Sequence, residues 1–128
     1  MRRRLVSSGS TWEERYGYSR AVVAGRHVHV AGTAPIMPGD ADPPDEPYAQ
    51  MRRCLEIVEA ALGEAGARLD DVVRTRVYLT DAADASDVMR AHGDAFSSVR
   101  PACTGLVVGL LDPRWLCELE VEALLPEE

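Results

Sequence analysis

Three glutamates at alternate positions, Glu118, Glu120 and Glu122, lie close to the C-terminus, and two arginines, Arg74 and Arg76, repeat the same alternation further upstream. In a β-strand such spacing sends side chains to one face, so neighbouring strands would gather acid and base on a common surface. That surface has two uses. Its charges can pair across the sheet, or a carboxylate in a partly dry position can have a raised pKa and move protons near neutral pH. His27 and His29 share the spacing and can present two metal ligands from one strand face, but no third ligand is evident. Cys54, Cys103 and Cys117 cannot all pair, and they have neither zinc-ribbon nor Cys-x-x-Cys spacing, so reduced thiols and no metal are expected. Cys103 as a nucleophile needs a base or a cation beside it to form thiolate; packing is its default role. His92 falls on the apolar stripe of a helical segment, which suits a satisfied, partly buried imidazole better than a catalytic one.

Missing residue types exclude whole classes of chemistry. All fourteen basic residues are arginine. Without lysine there is no Schiff-base amine and no ordinary seat for pyridoxal phosphate. The chain also lacks a glycine-rich nucleotide loop, so no cofactor is expected. A formal charge of -7 opposes binding to polyanions, and no basic stripe interleaved with aromatics is present. Nucleic acid is therefore an unfavoured partner, and Arg2, Arg3 and Arg4 read as a solvated terminus. A length of 128 residues, 46% of them hydrophobic, suits one domain over residues 1–128 with one core. No apolar run reaches the length of a membrane span, and Met1-Arg2-Arg3-Arg4 leads into serines, so no membrane association and a cytoplasmic location are expected.

The elements that must carry these residues follow from periodicity. Alternation marks Tyr18 to Ala24, His27 to Ala31, Val73 to Leu79, Thr104 to Leu110 and Glu118 to Ala123 as strands. Helical spacing marks Tyr48 to Ala65, with Gly66 as its stop, and Ala85 to Phe96. Pro35 to Pro47 reads as a long surface loop. The result is an α+β layer with two helices on one sheet face. Parity sends Val28, Val30, Val73, Thr75, Val77 and Leu79 toward the helices, and His27, His29, Arg74, Arg76, Tyr78 and the three glutamates to the other face. Val107 is expected on that helix-free face too, which makes the face suited to meeting another subunit.

Five segments resemble the Rid family, also called YjgF/YER057c/UK114: Gly17-Tyr18-Ser19-Arg20-Ala21-Val22, Asp71 to Asp81, Ala91 to Phe96, Arg100-Pro101-Ala102-Cys103-Thr104, and Leu116 to Ala123. The resemblance spans nearly the full chain. It implies a chorismate-mutase-like mixed sheet, a homotrimer with the sheets facing inward, and three pockets between neighbouring subunits. It also implies site residues: Glu118 to position or activate water, Tyr18 to line the pocket, and backbone groups at Ala31 and Gly32 to meet the ligand. Arg76 is a further candidate for substrate binding. In archetypal members the residue after Pro-Ala is an arginine that grips the carboxylate of a 2-iminoacid. Here that residue is Cys103, and a thiol cannot make the bidentate grip of guanidinium. Trp12-Glu13-Glu14-Arg15-Tyr16 forms either a rim over the pocket or a packing anchor.

Taken together, these residues point to an enzyme that hydrolyses or tautomerises a small reactive imine or enamine, without being a standard 2-iminoacid deaminase. The alternatives are a noncatalytic metabolite-binding or scaffold trimer and, less favoured by charge, an endoribonuclease.

Overall fold

A computed structural model describes residues 2–127. The chain forms a six-stranded sheet from β1 (Arg3–Val6), β2 (Ala21–Ala24), β3 (His27–Thr33), β4 (Val72–Leu79), β5 (Ala102–Val107) and β6 (Cys117–Leu124), in the order β1-β2-β3-β6-β4-β5. Neighbours are antiparallel except β4 and β5, which run parallel. A parallel neighbour needs a crossover, and α3 (Ala85–Phe96) supplies it. The longer α2 (Pro47–Glu64) connects β3 to β4, and the short α1 (Thr11–Tyr16) lies between β1 and β2.

Helix α2 begins with Pro47, whose fixed φ and missing N–H suit a first helical position. Its stripe of Met51, Leu55, Val58 and Leu62, widened by Cys54 and Ala61, is buried in the same core as Val28, Val30, Val77, Leu119 and Val121. Truncating a side chain as enclosed as Leu62 costs about 2–5 kcal/mol. The helix stops before Gly66, which takes φ +88° while the Ala67 N–H donates to the Leu62 carbonyl at 2.8 Å. Helix α3 adds Val88, Ala91 and Phe96, and His92 Nε2 lies 2.8 Å from the Thr75 hydroxyl, its pKa lowered by burial.

The helix–sheet layer matches the reading from sequence; several details differ. Strand β1 and helix α1 carry too little periodic sequence to be recognised. Arg3 and Arg4 belong to β1 rather than to a solvated terminus, and the Arg4 guanidinium donates to the carbonyls of Glu64 and Ala65, both at 3.0 Å. A cation there meets the negative end of α2 and its unsatisfied carbonyls. Val73 is exposed and Val72 buried, because the β4–β6 register slips between Val72 and Arg74. Val107 is in register with Leu79, which faces the helices, so Thr104 and Leu106 occupy the opposite, helix-free face of β5. An edge strand exposed along most of its length gives burial no means of showing its parity. The loop between β3 and α2 contains a turn of 3-10 helix at Pro38–Asp40 and is tied down by Arg53, which donates to the Ile36 carbonyl at 2.7 Å.

Candidate active site

The three glutamates of β6 share a face but not an environment. Glu122 accepts from Arg76 Nη1 at 2.7 Å. Glu120 accepts from the same Nη1 at 3.1 Å and from the Tyr78 hydroxyl at 2.6 Å. Cross-strand register explains the network, since Arg76 stands opposite Glu120 and Tyr78 opposite Glu118. Arg74 turns to Thr104, donating to its hydroxyl at 2.7 Å. Glu118 stands apart: half-buried, it has no hydrogen bond or ion pair among the described residues. Burial raises its pKa, with Arg20 pulling it down and Glu120 pushing it up.

Gly32 gives Glu118 its place. Three steps along β3, from Val30 to Thr33, match only two along β6, from Val121 to Leu119, so the strand carries an extra residue there. A Cβ at Gly32 would lie 3.0 Å from Glu118 Oε1, close enough that a larger residue would have to push the carboxylate aside. Arg20 Nη2 fastens the irregular stretch by donating to the carbonyls of Ala31 at 2.6 Å and Gly32 at 2.9 Å and to the Thr33 hydroxyl at 2.8 Å.

Beside this stretch, on the helix-free side, lies an open cleft of about 1020 Å³ whose walls include Tyr18, Ala31, Gly32, His29, Glu14 and Glu120. Helix α1 forms part of its rim. Ser10 caps α1, Gly17 ends it in the left-handed region at φ +75°, and the Tyr18 N–H returns to the Glu13 carbonyl at 3.0 Å, which leaves the Tyr18 ring exposed. The Glu13 carboxylate accepts from the Ser8 N–H at 2.9 Å and from the Ser8 hydroxyl, fixing the turn that precedes the helix. Trp12 and Tyr16 stack with centroids 5.4 Å apart, and Arg15 lies over both rings.

The structure thus brings Tyr18, Ala31 and Gly32 to one cleft, sets Glu118 behind Gly32, and opens Glu120 onto the same wall. Arg76 is engaged by two carboxylates. Cys103 is elsewhere: it is exposed on edge strand β5, in register with Thr75 and so on the helix-facing side, opposite to Glu118. Within one chain Glu118 is therefore not its neighbour. His27 and His29 stack with centroids 6.3 Å apart, and among the described residues no group of three His, Cys, Asp or Glu side chains is placed to hold a metal. No helix among them is long and apolar enough to cross a membrane. Two residues passed over in the sequence prove structural here. Arg20 belongs to one of the family-like segments, Gly17 to Val22, but the sequence alone assigns it no role of its own. Gln50, off the apolar stripe of α2, is fully buried, donating to the carbonyls of Pro44 and Arg114 and accepting from the Leu116 N–H.

The family model described as endoribonuclease L-PSP matches residues 10–125, a span that contains Tyr18, Arg20, Ala31, Gly32, Cys103 and the three glutamates of β6. The chain belongs to this family. Its fold superposes with a TM-score of 0.87 on the crystal structure of Rv2704 from Mycobacterium tuberculosis, a member of the YjgF/YER057c/UK114 family, at 43% identity over 97% of this chain and 100% of that one. An uncharacterized protein of Streptomyces coelicolor is 44% identical over 94% of this chain and 90% of its own length. The 3-aminoacrylate deaminase RutC of Acinetobacter baylyi is 32% identical over 80% of this chain and 82% of its own. Membership of the Rid family, reached from five short segments, is thereby established, together with its α+β sheet.

Proposed function

We propose that this Rid-family chain catalyses hydrolysis or tautomerisation of a small, reactive imine or enamine, with Glu118 handling the proton and the water. The carrying observation is the contrast along β6: Glu120 and Glu122 are bound by Arg76 and Tyr78, whereas Glu118 is half-buried, unpaired among the described residues and raised in pKa. Addition to C=N requires a group that takes up and releases a proton, and a raised pKa favours the uptake. Water adds to carbon as its proton passes to the carboxylate and nitrogen gains a proton; collapse of the adduct then expels ammonia and leaves a carbonyl. The relative that deaminates 3-aminoacrylate supports this class of chemistry.

Substrates carrying a carboxylate are handled poorly, because Cys103 stands in the place of the family's arginine and Arg76 is already paired. A homotrimer with the pocket between subunits completes the reading: Cys103 and Glu118 lie on opposite faces of one chain, so only a second copy can bring a Cys103 strand to the cleft. A second reading is favoured by Glu120 lining the cleft wall, from which it holds the water while Glu118 tunes it. Comparing Glu118→Gln with Glu120→Gln on a panel of freshly generated imines and enamines tests both. The first reading expects Glu118→Gln to lose about 10²–10⁴-fold in kcat and Glu120→Gln to lose far less; the reverse order would establish the second. Turnover undiminished in both variants would defeat each. Ribonuclease chemistry is opposed by the charge of -7.

A further inference from the structure

We propose that Arg20 is the positioning residue for Glu118: it fastens the irregular stretch of β3 that seats the carboxylate and sets a positive charge behind it. The proposal rests on the reading of Glu118 as the proton-handling group. The extra residue between Val30 and Thr33 breaks the β3–β6 ladder, leaving the main chain of Ala31 and Gly32 out of step with β6. Arg20 Nη2 takes up the Ala31 and Gly32 carbonyls and the Thr33 hydroxyl, and that hydroxyl in turn donates to the Ala31 carbonyl at 2.8 Å. The Arg20 main chain is held on both sides, its N–H donating to Val6 at 2.9 Å and its carbonyl accepting from Ala31 at 3.0 Å. The guanidinium therefore has little freedom, and neither has the stretch it binds.

Tying down carbonyls does not of itself call for a cation; a neutral amide can do it. Arg20 is an expensive choice, since its Nε is buried with no hydrogen-bond partner and burial lowers its pKa. What favours a charge at this point is the carboxylate beyond Gly32. Of the titratable and charged groups around Glu118, Arg20 from the segment leading into β2 and Glu120 on β6 act on its carboxyl, and Glu118 in turn acts on Tyr78 on β4 and Cys54 on α2. Arg20 is the cation of this set, and it offsets part of the effect of burial and of Glu120. Gly32 then admits the carboxylate and Arg20 holds Gly32 in place.

The test is a titration that needs no substrate. The Glu118 side-chain carboxyl is followed by carbon-detected NMR across pH in the wild type, Arg20→Gln and Arg20→Lys, with Glu118→Gln used to assign the resonance. Arg20→Gln is expected to move the midpoint upward, and Arg20→Lys, which keeps the charge but reaches less far toward the three oxygens, to move it by a smaller amount. A midpoint in Arg20→Gln that coincides with the wild type overturns the proposal. If Arg20→Gln fails to fold, Arg20→Lys carries the test, and an unmoved midpoint there overturns it equally. Turnover of Glu118→Gln is measured separately: an active Glu118→Gln beside a shifted titration defeats the proposed role of Glu118 while leaving the role of Arg20 standing.

Discussion

The burial that suits Glu118 to the proposed chemistry carries a stability cost. Because burial raises its pKa, the folded chain holds the Glu118 proton at pH values where the unfolded chain has released it, above about pH 4.3. In that window the unfolded state binds fewer protons, so this group makes stability fall as pH rises until the folded pKa is passed; the contribution is fully present only below the unfolded value. Glutamine never ionises. Glu118→Gln is therefore expected to be at least as stable as wild type at neutral pH, with the advantage vanishing on acidification, measured as the difference between their urea midpoints at several pH values. An advantage that grows toward low pH would contradict the sign. Gly32→Ala probes the same carboxylate sterically. Its backbone is not left-handed, so the methyl adds no conformational strain and must displace Glu118 Oε1 instead. We expect near wild-type stability with turnover reduced about 10²-fold, the scale of a small misplacement of a reacting group.

At the scale of elements, the strap between the long loop, α2 and β6 has a single residue at its centre. Gln50 uses both its N–H donors and its oxygen on three backbone groups of two segments, and the Leu116 N–H it receives lies just ahead of Cys117 and Glu118. Gln50→Ala leaves those groups without partners at about 1–3 kcal/mol for each one that stays buried, a loss that a urea midpoint will register; a change within 0.5 kcal/mol, the usual range of a surface substitution, would show that water replaces the amide. Nothing about Gln50 was legible in the sequence, because one polar residue beside an apolar stripe is ordinary on a helix. Helices α2 and α3 were legible for the opposite reason: each repeats its apolar spacing over several turns. Four-residue β1 and six-residue α1 have no such repetition, and β1 is a strand only because β2 lies beside it. Register slips at Val72–Arg74 and Val30–Thr33 broke the parity argument where it mattered most, moving Val73 to the surface and Gly32 against Glu118. Tyr18 and Gly32 reached the candidate site through their motifs. Arg20 did not, since its partners are mainly main-chain carbonyls, which leave no mark in a side-chain pattern.

The whole molecule presents an edge that is unusual for an isolated chain. Among the described residues, strand β5 pairs only with β4, and Leu106, Val107, Val73 and the almost fully exposed Leu111 are apolar and open to water. Unpaired edges and apolar patches of this kind invite association, and the cleft lacks any contribution from the strand that bears Cys103. Light scattering after size exclusion should give three times the monomer mass, and Leu106→Asp should lower it. The sharper consequence concerns how the site is shared. If each cleft joins Glu118 of one subunit to the Cys103 strand of its neighbour, two inactive variants can repair one another. Glu118→Gln removes the proton carrier, and Cys103→Trp fills the space brought by the neighbouring strand. Each alone is expected to be inactive as a folded trimer. Co-expressed in equal amounts and assembled at random, they should regain about a quarter of wild-type activity, because that fraction of interfaces pairs an intact Glu118 with an intact Cys103 strand. A site contained within one chain predicts no recovery at all, since every chain then carries one lesion or the other; a mixed trimer as inactive as its parents would place the whole site within a single subunit.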